Sequence, residues 1–443
     1  MTSAERTQLI EETLAHYRAL LERRLAENPE TLAEIEQTVE EISQEMDRVL
    51  EQRILDILPS EANQAGCPQC PATARFRRTV LRQVLTSHGE RTVRCRYYYC
   101  TACGHGFAPR EVRLALPATR VSPQVQAWIA SRSARMPFAE VAEDLAELRS
   151  LTVSVSTIER TAVAVGQALR AAEDAGPAPG AIVAAAPGRP RLYLSMDGAF
   201  APLREPWKKD GSAGKLHCRF GECKVGLAYV AQAGPDGDCG VAWRAYTATL
   251  DKVEAFTPRM VGLAQRAGVA TAAEVVVIAD GAPWIWNLCM REFPQALQVL
   301  DYYHMTQHLY AVAHARYLGD AAGAAAWVHT CQAFLAQDQV EHVLVTLQNW
   351  EPDHAADREV RDREYNFFTN NAERMRYGTY RQRGYHIGSG VMEASCKRVV
   401  VQRLDEAGMH WRQETADAIA TLRAAWLSTQ RPDLRQFSSC AAA

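Results

Sequence analysis

Nowhere in the sequence does an apolar run reach the ~18 residues that a membrane-spanning helix requires. The first residues, MTSAERTQLIEETLAHYR, are charged and helical without the apolar core of a secretory signal, so a cytoplasmic protein is expected. An excess of positive charge is also lacking: 49 Lys and Arg face 52 acids, a net of −3, which taken alone argues against a nucleic-acid partner. Disulfide patterning is missing as well. The 12 cysteines are dispersed except for one cluster, and in a reducing compartment a cluster points to metal. What remains is an ordinary globular composition on 443 residues, long enough for roughly two to four domains.

The charge is unevenly spread. Residues 1–66 hold 15 acids against 6 Lys or Arg, so the rest of the chain is net positive. Residues 67–113 alone carry nine arginines (Arg75, Arg77, Arg78, Arg82, Arg91, Arg94, Arg96, Arg110 and Arg113) against Glu90 and Glu111. A basic module beside an acidic one makes phosphate a natural partner for the former.

The acidic part (1–60) predicts two helices broken at Asn28-Pro29, with Asn as cap and Pro as first helical residue. In the second, Leu32, Ile35, Val39, Ile42, Met46 and Val49 form a narrow apolar seam, fit for a helical hairpin within the chain or a coiled coil between chains. Next, Cys67-Pro-Gln-Cys70 and Cys100-Thr-Ala-Cys103 flank a basic, strand-like interval. Paired CxxC knuckles match a tetrahedral structural zinc site of the ribbon type, over residues 61–117, with Cys95 and His105 as bystanders. Such a module either presents Arg75, Arg77, Arg78, Arg94 and Arg96 to DNA, with Tyr97, Tyr98 and Tyr99 on the same strand, or only holds itself together. Residues 118–174 then show three amphipathic pieces in helix-turn-helix order, the last capped by Ser154 or Ser156 and offering 156–170 as a recognition helix. Residues 175–190, rich in Ala, Gly and Pro, read as a linker.

Beyond it the pattern becomes α/β. Leu192 to Met196 is a strand expected to end at Asp197 and turn at Gly198; 223–231 and 241–249 are further strands, and 257–268 is a helix. Glu274 to Ala279 is a buried strand ending in Asp280-Gly281, and Gln298 to Leu300 runs into Asp301-Tyr-Tyr-His304. Two carboxylates on one sheet repel unless cations neutralise them, and oxygen-rich clusters suit Mg²⁺ or Mn²⁺. Residues 305–384 read as an all-α insertion. After the loop Gly384-Tyr-His-Ile-Gly388-Ser389-Gly390 a helix opens with Glu393 in its first turn, where the dipole favours a carboxylate. Lys397 shares its face, and Arg398 and Arg403 follow, cations suited to a DNA backbone.

Asp197, IADGAPWIW around Asp280, DYYH at 301–304, the helical insertion, and IGSGVMEASCKRVVVQRLDEAGMHW at 387–411 together resemble the ISKra-type bacterial insertion-sequence transposases, members of the Mutator-like DDE superfamily. The resemblance spans roughly residues 190–426. It implies an RNase H-like α/β core (191–304 and 385–430) interrupted by the α insertion, in a multidomain α+β chain with a short tail (431–443). It further implies a catalytic triad of Asp197, Asp280 and Glu393 holding two divalent metals, Mg or Mn, with Asp301 and His304 as an accompanying D-x2-H motif. DNA partners follow, namely transposon terminal repeats and target, with a homodimer or higher oligomer near the nucleoid. The position seven residues after the glutamate, often basic in related enzymes, is Val400 here, leaving that role to Lys397 or Arg398.

Plainer readings stand beside these. Trp284 and Trp286 stack on a displaced base or belong to the core; His304 orients a metal-bound water or Asp301, or simply ties a strand to the insertion. Cys218 and Cys223, with His217, are two ordinary thiols or a second metal site. A DNA-binding regulator that no longer transposes and an RNase H-like nuclease that cuts without joining are the rival functions.

Overall fold

The computed structural model describes residues 2–58, 62–176, 191–204, 218–233 and 239–438; most of the expected linker, and His217, lie outside them. The chain is mixed α/β and divides into two compact units, one of residues 1–168 with 433–443 and one of residues 169–432. The division falls inside a helix, ahead of the expected linker. Among the described residues no helix is long and apolar enough to cross a membrane.

The first unit begins with α1 (Ser3–Leu25) and α2 (Leu32–Ile57), packed as a hairpin. Contrary to expectation, Asn28 does not cap α2: it takes a left-handed φ of 48° behind α1, and Thr31 is the cap. Thr31 wins because it forms a capping box with Glu34, which satisfies an amide in each direction where Asn28 offers one acceptor. The hairpin covers Leu9, Leu20 and Ile42, but Leu32, Ile35 and Val39 of the seam stay exposed.

Four antiparallel strands follow in the order β1 (Gln64–Gly66), β2 (Thr73–Thr86), β3 (Gly89–Tyr99) and β4 (Gly106–Phe107). Val84, Val93 and Cys95 turn inward with Leu116 to make a small core, braced by Leu55 of α2. A short α3 (Pro109–Arg113) leads to three consecutive helices, α4 (Pro123–Ser133), α5 (Phe138–Arg149) and α6 (Val155–Asp174), at the expected places. Val125, Ile129, Val141, Leu145, Ile158, Ala162 and Val165 are buried at helical spacing, and Ser154 rather than Ser156 caps α6 by accepting from the Thr157 amide.

The second unit holds a five-stranded sheet in the order β7-β6-β5-β8-β9. Its strands are β5 (Arg191–Arg204), β6 (Cys218–Ala233), β7 (Cys239–Thr249), β8 (Glu274–Ala279) and β9 (Leu297–Leu300). The first three form an antiparallel meander, and β8 and β9 run parallel to β5. The parallel strands need crossovers, supplied by α7 (Val253–Arg266) and α8 (Pro283–Glu292). Five helices then interrupt the sheet domain as expected: α9 (Tyr302–Arg316), α10 (Ala321–Leu335), α11 (Val340–Gln348), α12 (Ala355–Asn371) and α13 (Tyr377–Gln382). The chain returns through α14 (Gly390–Cys396), a π-helical stretch Lys397–Val401, α15 (Gln402–Leu404) and α16 (Gln413–Leu427), which packs on β7 and β5.

β5 does not stop at Asp197. It continues through Gly198 to Arg204, paired with β6 throughout, so the expected turn is absent. The glycine serves close approach instead: a Cβ there would come within 2.4 Å of the Glu222 carboxylate on the neighbouring strand.

A polar knot ties α6, β7 and α16. Asp417, 2% exposed, accepts from the Leu250 amide at 2.7 Å and the Thr249 hydroxyl at 2.9 Å, and its second oxygen pairs with Arg170, which also reaches Asp251. Removing one partner of a buried pair leaves the other's desolvation uncompensated. Asp417→Ala is therefore expected to lower stability by about 3 kcal/mol, read as a shifted urea midpoint with unchanged slope; a loss below about 1 kcal/mol would show the knot to be only a surface pair.

Candidate functional site

The four cysteines come together as expected. Cys67 and Cys70 sit on the turn between β1 and β2, and Cys100 and Cys103 on the turn after β3; the Sγ atoms of Cys67 and Cys103 are 3.6 Å apart, those of Cys70 and Cys100 3.5 Å. A tetrahedral zinc thiolate with Zn–S of ~2.3 Å places its sulfurs ~3.8 Å apart, so the donor set fits one structural zinc. Among the described residues this is the only group of three or more Cys, His, Asp or Glu side chains gathered closely enough to hold a metal ion. The crowding perturbs the thiols in opposite directions. The Cys103 amide beside Cys100 brings that thiol down to about 7. Cys103, although the His105 amide acts the other way, is pushed up to about 12 by burial and by the neighbouring sulfurs. Four thiolates this close require a cation between them. Cys95 and His105 are bystanders: Cys95 is buried in the small core, and the His105 ring stacks on Phe107 at 5.7 Å.

Around the cluster the arginines sort by partner. Arg82 pairs with Glu111 at 2.8 Å and Arg91 with Glu51 at 2.8 Å, while the buried Arg110 donates to the carbonyls of Arg94 and Leu55. Arg75, Arg77, Arg78 and Arg94 are exposed and Arg96 half-buried. Arg77 lies over the Tyr99 ring at 5.6 Å, Arg78 over Tyr97 at 5.4 Å and Arg96 over Phe76 at 4.0 Å, which holds each guanidinium group against an aromatic ring of the β2–β3 hairpin. Tyr98 is fully buried, edge-on to Phe76, with its hydroxyl on the Ala62 carbonyl.

In the second unit, parallel pairing matches Ser195 of β5 with Ile278 of β8. Asp197 lies two residues beyond that pair on β5, and Asp280 follows directly on the last residue of β8, near enough for its charge to act on Asp197. Burial raises the Asp197 carboxyl to about 6 against the pull of the Gly198 amide, and the charges of Asp280 and Glu222 add to the rise. The Cys396 thiol lies 3.7 Å from Asp197 Oδ2, placing the last turn of α14 directly over this strand. Glu393, one turn earlier on α14, is exposed. The Asp280 carboxylate accepts from the Ala282 amide at 3.0 Å. Gly281 follows with φ +102°, a conformation that excludes ordinary side chains, and a Cβ there would lie 2.9 Å from Phe367.

Asp301 is a latch. Only 5% exposed, it caps α9 by accepting from the amides of Tyr303 at 3.1 Å and His304 at 3.3 Å. The same carboxylate accepts from the Ser389 amide at 3.0 Å and the Ser389 hydroxyl at 2.6 Å. Ser389 is the N-cap position of α14, so Asp301 ties the start of the insertion to the start of the helix that carries Glu393. His386, in the same returning loop, stacks on Tyr193 of β5 at 4.8 Å, and its amide donates to the Tyr193 hydroxyl at 3.2 Å.

Several sequence candidates fall elsewhere. Trp286 is 4% exposed with Arg374 over its ring at 4.5 Å, so it is core and not available to a base. Trp284 is half-buried, edge-on to Phe256 and 5.7 Å from the Lys224 ammonium. Arg403 is fully buried over Trp411 and cannot meet a DNA backbone. Val400 is equally buried, whereas Lys397 is exposed and Arg398 half-buried. Cys218 is exposed, 3.3 Å from Nδ1 of His410, and Cys223 is fully buried, so these two thiols do not form one site. Glu222 and Lys224, an ion pair at 2.7 Å beside Asp197, escaped sequence reading because only strand register places them there.

No protein-family model matches the chain, and no curated protein does.

Two outcomes follow from this geometry. Cys67→Ser should lose one equivalent of zinc relative to the wild-type chain, measured by elemental analysis, and melt the β1–β4 module; a variant that keeps the full wild-type zinc content would show the cluster is not the ligand set. Asp197, whose carboxyl is raised in the fold, contributes stability that is complete below its ordinary value near 3.8 and lost as pH climbs through about 6. In metal-free protein Asp197→Asn should therefore gain up to about 2 kcal/mol above pH 7 and nothing at pH 4, seen as a rise in Tm at the higher pH only. Equal Tm differences at both pH values would discount the charge crowding.

Proposed function

We propose that the chain is a DDE transposase, cutting and joining insertion-sequence ends with an RNase H-like core, and that the single observation carrying this reading is the approach of Asp280, which follows β8, to Asp197 on the neighbouring parallel strand β5. The charge of Asp280 adds to the raised proton affinity of Asp197, and a divalent cation relieves such repulsion better than a proton does. Asp197, Asp280 and Glu393 would hold two Mg²⁺ or Mn²⁺ ions, which supply an activated water or 3′-hydroxyl and steady the leaving oxygen in an in-line displacement at phosphorus. The fit is good for the aspartates, whose oxygens suit a hard cation. Glu393 would join from α14, whose position is set by the Asp301–Ser389 latch and by Cys396 against Asp197.

The remaining parts serve DNA binding in this reading. The zinc-ribbon-like module would offer Arg75, Arg77, Arg78, Arg94 and Arg96 to phosphates, α4–α6 would act as a helix-turn-helix with α6 in the major groove, and Lys397 and Arg398 would hold the strand near the reacting phosphate. Phosphate contacts of this kind are salt-sensitive, and binding should weaken steeply between low and physiological ionic strength. Pairing of two element ends requires at least a dimer.

With Mn²⁺ and labelled element ends, wild-type protein should both cleave and join, and Asp197→Ala, Asp280→Ala or Glu393→Ala should each depress joining by about 10³-fold while leaving end binding intact. Joining that survives Asp197→Ala would refute the site. Cleavage without joining would favour a nuclease, and binding without cleavage a regulator. Asp301→Ala should lower joining through loss of helix position, and Asp301→Asn, which keeps part of the cap, should lower it less.

A further inference from the structure

One cluster in the helical insertion lies outside both centres described above. His304 and His308, one turn apart on α9, point their Nε2 atoms at each other across 3.2 Å. The other ring nitrogen of His308, Nδ1, is 2.5 Å from Oε2 of Glu364 on α12. Glu364 is 1% exposed, and its second oxygen is held by Arg363 at 2.7 Å. Phe367 stacks on the His308 imidazole with centroids 3.5 Å apart and planes 14° from parallel. The ring is thus fixed in plane by the carboxylate and in tilt by the phenyl face. An ionised Glu364 only accepts, so the proton of His308 sits on Nδ1 and the lone pair of Nε2 is presented to His304.

Two imidazole nitrogens converging from successive helical turns can share a proton or a cation. A tetrahedral zinc with Zn–N of ~2.0–2.1 Å sets its nitrogen ligands ~3.3–3.4 Å apart, close to the 3.2 Å observed. A carboxylate on the far nitrogen is the usual outer partner of a ligating histidine, since it fixes the tautomer and raises basicity. Imidazole nitrogen also selects a zinc-like ion over the hard cations suited to Asp197 and Asp280. The His308 side chain retains 23% exposure, so the site is open to solvent and water can complete the coordination.

We propose that His304 and His308 chelate a second transition-metal ion, of the zinc type, through their Nε2 atoms, with Glu364 as the orienting carboxylate. The ion clips two turns of α9 against α12. Because Phe367 packs both on His308 and against Gly281, the clip stiffens the insertion where it meets the Asp280 strand exit. The proposal does not depend on what reaction the acids perform.

The test is zinc titration of the full-length chain after chelator treatment, with bound metal counted by equilibrium dialysis and elemental analysis. Wild-type protein should bind two equivalents. His304→Ala and His308→Ala should each remove the second equivalent while keeping the first, and Cys67→Ser should remove the first while keeping the second. Glu364→Gln should weaken the second by about 10- to 100-fold. Should an alanine variant unfold, His304→Asn, close in size but without the ligating nitrogen, decides the matter in its place. A wild-type chain that binds one zinc only, or a second equivalent that survives loss of His304, overturns the site.

Discussion

The parallel pairing of β5 with β8 is the constraint on which the second unit turns. It brings Asp280, at the exit of β8, close to Asp197 on β5, where burial, with the charges of Asp280 and Glu222 adding to it, lifts Asp197 to about 6. Nothing in hydrophobic packing rewards such an arrangement, since a like-charge pair lowers stability at neutral pH. The surrounding structure bears that cost through continuous β5–β6 pairing, the buried Val276–Ala279 run, and the Asp417 knot that closes α16 over the sheet. Carboxylates retained against their own repulsion are a functional-site signal, because structural ion pairs bring opposite charges together instead.

The interruption between β9 and α14 follows from the same constraint. A helical excursion of more than eighty residues must deliver α14 back to β5 reproducibly, and loop closure of that length costs entropy but specifies no geometry. Specific polar contacts do. Asp301 gives its two oxygens to both ends of the excursion, and the Tyr193–His386 stack fastens the returning loop to the strand that carries Asp197. The D-x2-H spacing then has a division of labour: the aspartate caps and latches, while the histidine looks into the insertion toward His308 and Glu364.

The first unit meets a different shortage. Its β core is split into two small clusters, Val84, Val93, Cys95 and Leu116 at one end and Ala74, Tyr98 and Cys100 at the other, and the four cysteines beside the second are placed so that a structural metal would add what so little burial does not. The same economy explains why some of its arginines are committed to Glu51, Glu111 and backbone carbonyls, while those nearer the cysteines lie on aromatic faces.

Spacing by itself determined the CxxC pairing, the α-helical insertion and the buried strand before Asp280, because each rests on a local pattern of donors or apolar periodicity. Tertiary structure decided what depends on neighbours distant in sequence. Gly198 looked like a turn and is a strand residue making room for Glu222; Asn28 looked like a cap and yields to the box of Thr31 and Glu34; Arg403 looked like a DNA contact and is buried; and of the two readings open for Trp286, base stacking or core, burial decides for the core. Glu364 sits 56 residues from His308, and no local rule connects them. Register and burial are properties of the packed whole, set by which faces meet, and residue type alone carries neither.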